Sequence, residues 1–514
     1  MNALLTIVFL VLVFGMCSDV TANPSTERAV DDDVAMYIGE YDPPPMPAPP
    51  SEEDDDDDDE DDEYDERSER EAHKFIRQVT STYDYDEVLA KSIKFYEAQR
   101  AGPLPSNNRI SFRGDSAVND SGFNGEDLTG GYYDAGDHVK FGLPMAFTST
   151  VLAWGLIEFK DAYEAAGQLS YMYETIKWAT DYFIKAHVSP TGFYSQVGEG
   201  NIDHKYWGPP ESMKMSRPPV LVDGISMNGS DVVGETAAAM AAASIAFDGV
   251  TEYGSYSAIL LEHAKQLFDF AYKYQGKYEA GGYYKSFKYG DELCWAAAWL
   301  YKATGENEYL TTSETLYDRH CKARGWAFGW GNKNAGAQML LYQLTGNNKY
   351  KNKINQFVTK WMPGHRLHYT PLGLVYRNSW GPLRYAAGTA MIALIAADNG
   401  INTDNFIEWA KGQIHYMLGD AGRSFVVGFG HNPPVRPHHR ASSCNCILTG
   451  SRALKSPHDN PNVLVGALVG GPSSDDSYTD NRQDYMSNEV ACDYNAAFQS
   501  SVAALRHFQL QGRK

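Results

Sequence analysis

Two stretches of this chain, 41 residues apart, carry the same punctuation: Ala303-Thr304-Gly305-Glu306-Asn307-Glu308-Tyr309 and Leu344-Thr345-Gly346-Asn347-Asn348-Lys349-Tyr350. Each closes a run with apolar residues at helical spacing and opens another. Glycine stops a helix at that point because it takes the left-handed backbone conformation without a Cβ clash. Asp248-Gly249 and Asn399-Gly400 mark the same kind of stop, and Gly167 marks another. The chain therefore repeats a helical hairpin, and a weak repeat of this length is the signature of an α/α array.

The helical period recurs over about twelve segments, and no run alternates clearly enough to read as a strand. The first is 84–100, where Asp84 caps, Glu87 stands three residues on, and Tyr85, Leu89, Ile93 and Tyr96 form one stripe. The others are 146–164, 170–187, 231–248, 255–274, 291–304, 306–321, 334–345, 349–363, 383–399, 403–418 and 489–509. Five hairpins, closed by the first and last segments packed together, make six. Connections within hairpins are short, whereas 101–145, 188–230, 275–290, 322–333, 364–382 and 419–488 are long. If the helices run up and down, every long connection lies on one rim. Long loops in a compact domain carry function more often than slack. The Ala-rich stretch Ala237 to Ala246 suits an inner, closely packed ring.

Chemistry-bearing residues gather in those loops. In Tyr132-Tyr133-Asp134-Ala135-Gly136-Asp137-His138, behind Gly130-Gly131, two carboxylates three residues apart can turn toward one water. The same spacing also serves as an ordinary Asx-turn. The last long loop holds Tyr478, Asp480, Tyr485 and Glu489, with Glu489 expected to open the final helix. A glutamate there either serves the helix dipole or, raised by burial and by repulsion from Asp480 or Asp134, works as a general acid. Arg436, His438, His439 and Arg440 follow a Gly-rich stretch and suit hydrogen bonding to a polar ligand better than zinc. Trp207, Trp326, Trp330 and Trp380 sit on the same rim, where indole faces suit the C–H faces of pyranose rings.

The net charge of −22 is local. Residues Asn23 to Ala72 hold 22 Asp/Glu against 3 Lys/Arg, including the unbroken acidic run Glu52 to Glu63; from His73 onward there are 43 acidic and 41 basic residues. The body is nearly neutral, which argues against nucleic-acid binding. The acidic, Pro-rich segment 23–72 reads as a disordered spacer, or as a loose binder of calcium, mineral or basic partners. Residues 1–22, an apolar run ending in Val20-Thr21-Ala22, read as a secretory signal peptide, with no membrane attachment after cleavage. Beyond it are five cysteines, an odd number and too few for a disulfide framework.

Three signatures, FRGDSAVND with GGYYDAGDHVKFGLPMAF (112–120 and 130–147), SFVVGFGHNPPVRPHHR (424–440) and YTDNRQDYMSNEVACDYNAA (478–497), resemble glycoside hydrolase family 9, particularly its animal members. The resemblance runs from about Tyr83 to Gln511. It implies an all-α (α/α)6 barrel of six helical hairpins and twelve helices over 73–514. It also implies a secreted, monomeric endo-β-1,4-glucanase that cuts cellulose and related glucans with inversion. Asp137 would be the base, Asp134 its partner in gripping the water, Glu489 the acid, and Asp480 their support. His438 and Arg440 match a substrate-binding pair, and Tyr485 lies near the scissile bond by the same likeness. His204, Tyr206 and Trp207 of DHKYWG and Trp380 and Tyr385 of WGPLRY match cleft segments, with Trp326 and Trp330 beside them.

No cofactor is required by that likeness. A structural calcium is implied at Ser286-Phe287-Lys288-Tyr289-Gly290-Asp291-Glu292, where Asp291 and Glu292 remain. Phe287 and Lys288 replace the usual Ser and Gly there, and Gly331-Asn332 replaces an acidic pair. Other readings are mixed-linkage glucan, xylan or chitin-derived sugars as substrates of the same scaffold. From another class comes a non-catalytic secreted protein that binds sugar or mineral.

Overall fold

The computed structural model describes residues 82–278, 283–445 and 447–513. The expected leader at 1–22, the acidic segment 23–72 and Cys446 lie outside the described residues. All twelve expected segments are helical: α1 Tyr85–Gln99, α2 Gly142–Glu158, α3 Leu169–Ala186, α4 Ser230–Phe247, α5 Tyr256–Lys273 and α6 Gly290–Thr304. They continue with α7 Asn307–Leu316, α8 Asn334–Thr345, α9 Asn348–Trp361, α10 Pro382–Asp398, α11 Thr403–His415 and α12 Cys492–Leu510. The turn signals act as read. Gly305 and Gly346 have φ of 70° and 65°, and their N–H groups donate to Tyr301 O and Tyr342 O, both at 2.8 Å.

Hairpin partners pack as expected: α2 on α3, α4 on α5, α6 on α7, α8 on α9, α10 on α11, and α12 on α1. The even-numbered helices also touch in a closed series, α2, α4, α6, α8, α10, α12 and back to α2. They form the inner ring of an all-α (α/α)6 barrel, with the odd-numbered helices outside. Composition explains the division. In α4 every residue from Ala237 to Ala243 is fully buried, and small side chains let neighbouring helices approach closely. Trp154 of α2 meets Trp295 and Trp299 of α6 edge to face, at centroid distances of 5.3 and 5.8 Å, so aromatic bulk fills the space the alanines leave.

Six short strands were not read from the sequence. β1 (Lys140–Phe141), β2 (His187–Ser189) and β4 (Pro219–Val222) each pair antiparallel with the central β3 (Gly192–Val197). β5 (His368–Tyr369) and β6 (Val375–Tyr376) form a separate hairpin. Two- to four-residue strands are too short to display alternation, and β3 is buried along its whole length, so it has no polar face to alternate. The sheet matters to the site because it anchors the segment just after Asp137 to the second long loop.

Each long connection joins the end of an outer helix to the start of an inner one, so all converge over the N-terminal ends of the inner ring. Among the described residues no helix is long and apolar enough to cross a membrane. The four described cysteines, Cys294, Cys321, Cys444 and Cys492, are buried free thiols.

Candidate active site

The Asp134–Asp137 turn is held by main-chain bonds from three directions. Tyr133 N–H donates to Gln99 O at the end of α1 (2.9 Å), Cys492 N–H at the start of α12 donates to Asp134 O (2.8 Å), and Arg440 N–H donates to Gly136 O (3.0 Å). Gly136 is needed for the last of these, since a Cβ there would lie 2.2 Å from the carbonyl oxygen of His438. The two carboxylates are 4% and 8% exposed. Each commits one oxygen: Asp134 Oδ2 accepts from the Tyr284 hydroxyl, and Asp137 Oδ2 lies 3.1 Å from His204 Nε2. Each leaves Oδ1 buried and without a hydrogen bond to the protein. Burial, then repulsion from Asp137, pushes Asp134 well above the ordinary carboxyl range.

Glu489 is not in the first turn of the last helix. It follows the short helix Tyr485–Asn488 in extended backbone, φ −63° and ψ 149°, and α12 begins only at Cys492. A bridge to His438 and a bond from Gly470 N–H to Glu489 O (2.9 Å) pull it out of helix. The lowering influence of the helix dipole expected from the sequence is therefore not applied to it in a helical turn. Its partly buried carboxyl is pushed up to about 8, by burial first and by Asp137 second. The Trp380 indole N–H, 3.4 Å from Oε2, and the Arg384 guanidinium work in the opposite direction. Repulsion on it comes from Asp137 and Asp493, and of the two aspartates expected to repel it, Asp134 does interact with it, its own carboxyl being raised in part by Glu489.

Asp480, expected to support the reacting carboxylates, is bonded to main chain in the segment that leads to His438. Its two oxygens accept from Val435 N–H (2.7 Å) and Arg436 N–H (3.0 Å), so it folds the Pro-rich rim. His438 is brought in: its Nδ1 donates to Arg482 O at 2.6 Å, burial pushes it down to about 3, and the ring is neutral with Nε2 as an acceptor. Arg440 binds the buried Asp203 through one guanidinium nitrogen and keeps Nε without a partner. The ligand atoms of Asp137, Asp203 and His204 lie within 4.8 Å of one another. Hydrogen bonds within the protein account for that cluster.

The aromatic residues divide into two groups. Trp380 lies 5.1 Å from Tyr485, Tyr485 lies 6.1 Å from His438, and His438 meets Trp207 edge to face at 4.9 Å, a wall on the Glu489 side. Trp326 meets Tyr385 edge to face at 4.9 Å, and both line a pocket with Trp330, above Arg384 and Asp493. The polar edges of Trp207 and Tyr206 are turned inward: the Trp207 N–H donates to Ser443 Oγ (3.0 Å), and the Tyr206 hydroxyl donates to Pro209 O (2.8 Å). Either ring can offer substrate only its apolar surface.

Asp291 and Glu292 lie outside this cleft, fully buried at the start of α6. Lys333 N–H donates to Asp291 Oδ2 (2.8 Å), and the buried Lys333 ammonium lies 3.3 Å from Glu292 and 3.5 Å from Glu235. It also donates to the carbonyls of Gly329 and Trp330. Asp231 Oδ2, Glu235 Oε2, Ser286 Oγ, Asp291 Oδ1 and Glu292 Oε2 stay without a hydrogen bond, fewer side-chain oxygens than the six to eight calcium takes, and the Lys333 ammonium already stands between Glu235 and Glu292. Asp231 and Glu235 stand nearby, but among the described residues no three such ligand atoms here lie within 4.8 Å of one another. These residues do not fit calcium.

Several site residues were missed from the sequence: Asp203, Tyr283, Tyr284, Arg384 and Asp493. A signal existed for the tyrosines. Gly281-Gly282-Tyr283-Tyr284 repeats the Gly130-Gly131-Tyr132-Tyr133 that precedes the aspartates. Tyr284 holds φ at 51°, which a non-glycine residue adopts at some strain and which aims its hydroxyl at Asp134.

Comparison with known proteins accords with this geometry. Residues 85–502 match the family model for Glycosyl hydrolase family 9. Endoglucanase B of Cellulomonas fimi is 46% identical over 446 residues, 82% of this chain and 42% of that protein. Endoglucanase A of Bacillus pumilus is 45% identical over 445 residues, 83% of this chain and 66% of that protein. The chain thus spans less than two thirds of either relative. The endoglucanase structure from the termite Nasutitermes takasagoensis superposes with a TM-score of 0.81 at 52% identity, covering 84% of this chain and 100% of that one. On these grounds the chain belongs to glycosyl hydrolase family 9.

Proposed function

We propose that this protein is an endo-β-1,4-glucanase that hydrolyses internal bonds of cellulose and related β-glucans by one-step inversion. Glu489 protonates the leaving glycosidic oxygen. Asp137 removes a proton from a water gripped between the free Oδ1 atoms of Asp134 and Asp137, and that water attacks the anomeric carbon from the opposite face. The observation that carries this reading is the division of labour between carboxyls. Glu489 holds its proton up to about pH 8 against Trp380, whereas Asp137 keeps one buried oxygen uncommitted. Two carboxyls whose surroundings fit one to give a proton and the other to take one are the acid and base of such a reaction.

Trp380, Tyr485, Trp207, Trp326, Trp330 and Tyr385 present ring surface to the sugar chain, and His438 Nε2 and Arg440 offer an acceptor and donors to its hydroxyls. The named relatives are endoglucanases, which supports the β-glucan assignment. We place the enzyme outside the cell, on the leader-like residues 1–22. Lys333, rather than calcium, supplies the cation beside Glu292 and Glu235, and its N–H binds Asp291.

NMR of the first product tests the mechanism: inversion gives the α-anomer, and initial β-anomer overturns it. Glu489→Gln and Asp137→Asn should each lose roughly 10²- to 10⁴-fold in kcat on soluble β-1,4-glucan. Near-normal turnover in either removes that residue from the reaction.

A further inference from the structure

His204 stands between Asp137 and Tyr283. Its Nε2 is 3.1 Å from Asp137 Oδ2, its Nδ1 is 3.0 Å from the Tyr283 hydroxyl, and the two rings meet edge to face at 4.9 Å. Burial, then the charge of Asp137, pushes the Tyr283 phenol up to about 12, so it keeps its proton. For Asp137 to serve as the base its Oδ2 accepts from His204 Nε2–H, and in that tautomer Nδ1 is the acceptor for the Tyr283 hydroxyl. One tautomer satisfies both bonds. The chain of donation runs from Tyr283 to His204 to Asp137.

The seat of the ring is fixed from behind. Asp203, the preceding residue, is 2% exposed, binds Arg440 and accepts from His138 N–H at 3.3 Å. His204 N–H donates to Gly200 O at 2.8 Å. With both ring nitrogens engaged, His204 has no polar atom left for a sugar hydroxyl.

We infer that His204 and Tyr283 are positioning residues for the base: they hold Asp137 Oδ2, so that Oδ1 is the atom that takes the proton of the attacking water. This replaces the substrate-binding role that motif resemblance gives His204, and it rests on Asp137 being the base. In the step, a water O–H bond breaks and its proton goes to Asp137 Oδ1. The water oxygen bonds to the anomeric carbon while the bond to the leaving oxygen breaks, and Glu489 supplies that oxygen with a proton. His204 keeps its own proton throughout.

The test compares wild type, His204→Leu, His204→Gln and Tyr283→Phe on a cello-oligosaccharide and on 2,4-dinitrophenyl β-cellobioside, whose leaving group needs no acid. On the oligosaccharide His204→Leu should lose about 100-fold in kcat with KM within about twofold, as for a group that acts in the transition state. His204→Gln restores a donor and should recover about tenfold of that loss, and Tyr283→Phe should lose roughly three- to tenfold in kcat. On the activated substrate Glu489→Gln regains activity, whereas His204→Leu stays slow. A raised KM with intact kcat in His204→Leu, or its recovery on the activated substrate, overturns the inference. Should His204→Leu fail to fold by circular dichroism, unchanged kcat in both His204→Gln and Tyr283→Phe overturns it instead. Wild type that releases no reducing ends from β-1,4-glucan would overturn the proposed function, a separate outcome.

Discussion

Replacing Glu489 by glutamine should stabilise the protein, and by an amount that depends on pH. The unfolded carboxyl titrates near its ordinary 4.5, and the folded one near 8. Between those values the folded chain holds a proton that the unfolded chain has released. The contribution of Glu489 to stability is therefore intact below about pH 4.5 and is lost as pH rises toward 8. Three and a half units at about 1.4 kcal/mol each set an upper bound of about 5 kcal/mol. The carboxyl keeps part of its surface toward the cleft, where water relaxes around the charge, so about 2 to 4 kcal/mol is the expected range. Glutamine is neutral throughout and escapes this loss. At about 2 cal/mol/K of unfolding entropy per residue, a domain of this size converts 3 kcal/mol into about 3 °C. Calorimetry on wild type and Glu489→Gln should show Tm values that coincide at pH 4.5 and separate progressively, with the variant higher, toward pH 8.5. The same proton should appear as an alkaline limb in kcat/KM near pH 8. A gap that does not change with pH, or a variant less stable at pH 8.5, would refute burial as the source of the acid.

Lys333→Met should cost about 3 to 5 kcal/mol, because it leaves Glu235 and Glu292 buried without their cation; thermal melts read this directly. In wild type, neither EDTA nor added calcium should move Tm by more than about 1 °C, since the binding of an ion to the folded state would raise it. Gly136→Ala places a Cβ 2.2 Å from the His438 carbonyl, and steady-state kinetics should show kcat down by about 100-fold as the base loop is pushed away. Removing residues 23–72 should leave kcat on soluble glucan within about twofold, since the segment's charge is set apart from the nearly neutral body.

The barrel was legible because helical period and glycine stops are local signals. Gly305 and Gly346 end α6 and α8 where the sequence placed them. Glu489 shows where local reading stops. Its surroundings read as helix, but the bridge to His438 and the bond from Gly470, both far along the chain, pull the backbone straight. The aspartate turn was legible as a glycine-flanked loop, whereas Tyr284 reaches Asp134 across 150 residues of sequence. Asp480 belongs to the same motif as Glu489, yet membership does not say whether a carboxylate faces a substrate or a peptide N–H. Lys333 stayed hidden for a related reason. A lysine in a loop normally reads as solvated, and only the fold reveals that carboxylates and carbonyls surround it.

The reacting groups are carried by main-chain bonds more than by side-chain ones. Arg440 N–H binds Gly136 O, Cys492 N–H binds Asp134 O, His438 N–H binds Asn488 O, and Gly470 N–H binds Glu489 O. These bonds lock three distant segments together without using either Asp137 or Glu489 side chains. Buried carboxylate oxygens left without protein partners are destabilising, and the site keeps four of them, at Asp134, Asp137, Asp203 and Asp493. They persist because the backbone lattice over-determines where the turn must sit. An isosteric amide at Asp137 or Glu489 leaves every one of those main-chain bonds in place. It follows that activity lost in Asp137→Asn or Glu489→Gln reports chemistry, whereas activity lost in Gly136→Ala reports the lattice. A melting curve separates the two, because Glu489→Gln melts no lower than wild type at pH 8 and the glycine variant melts below it.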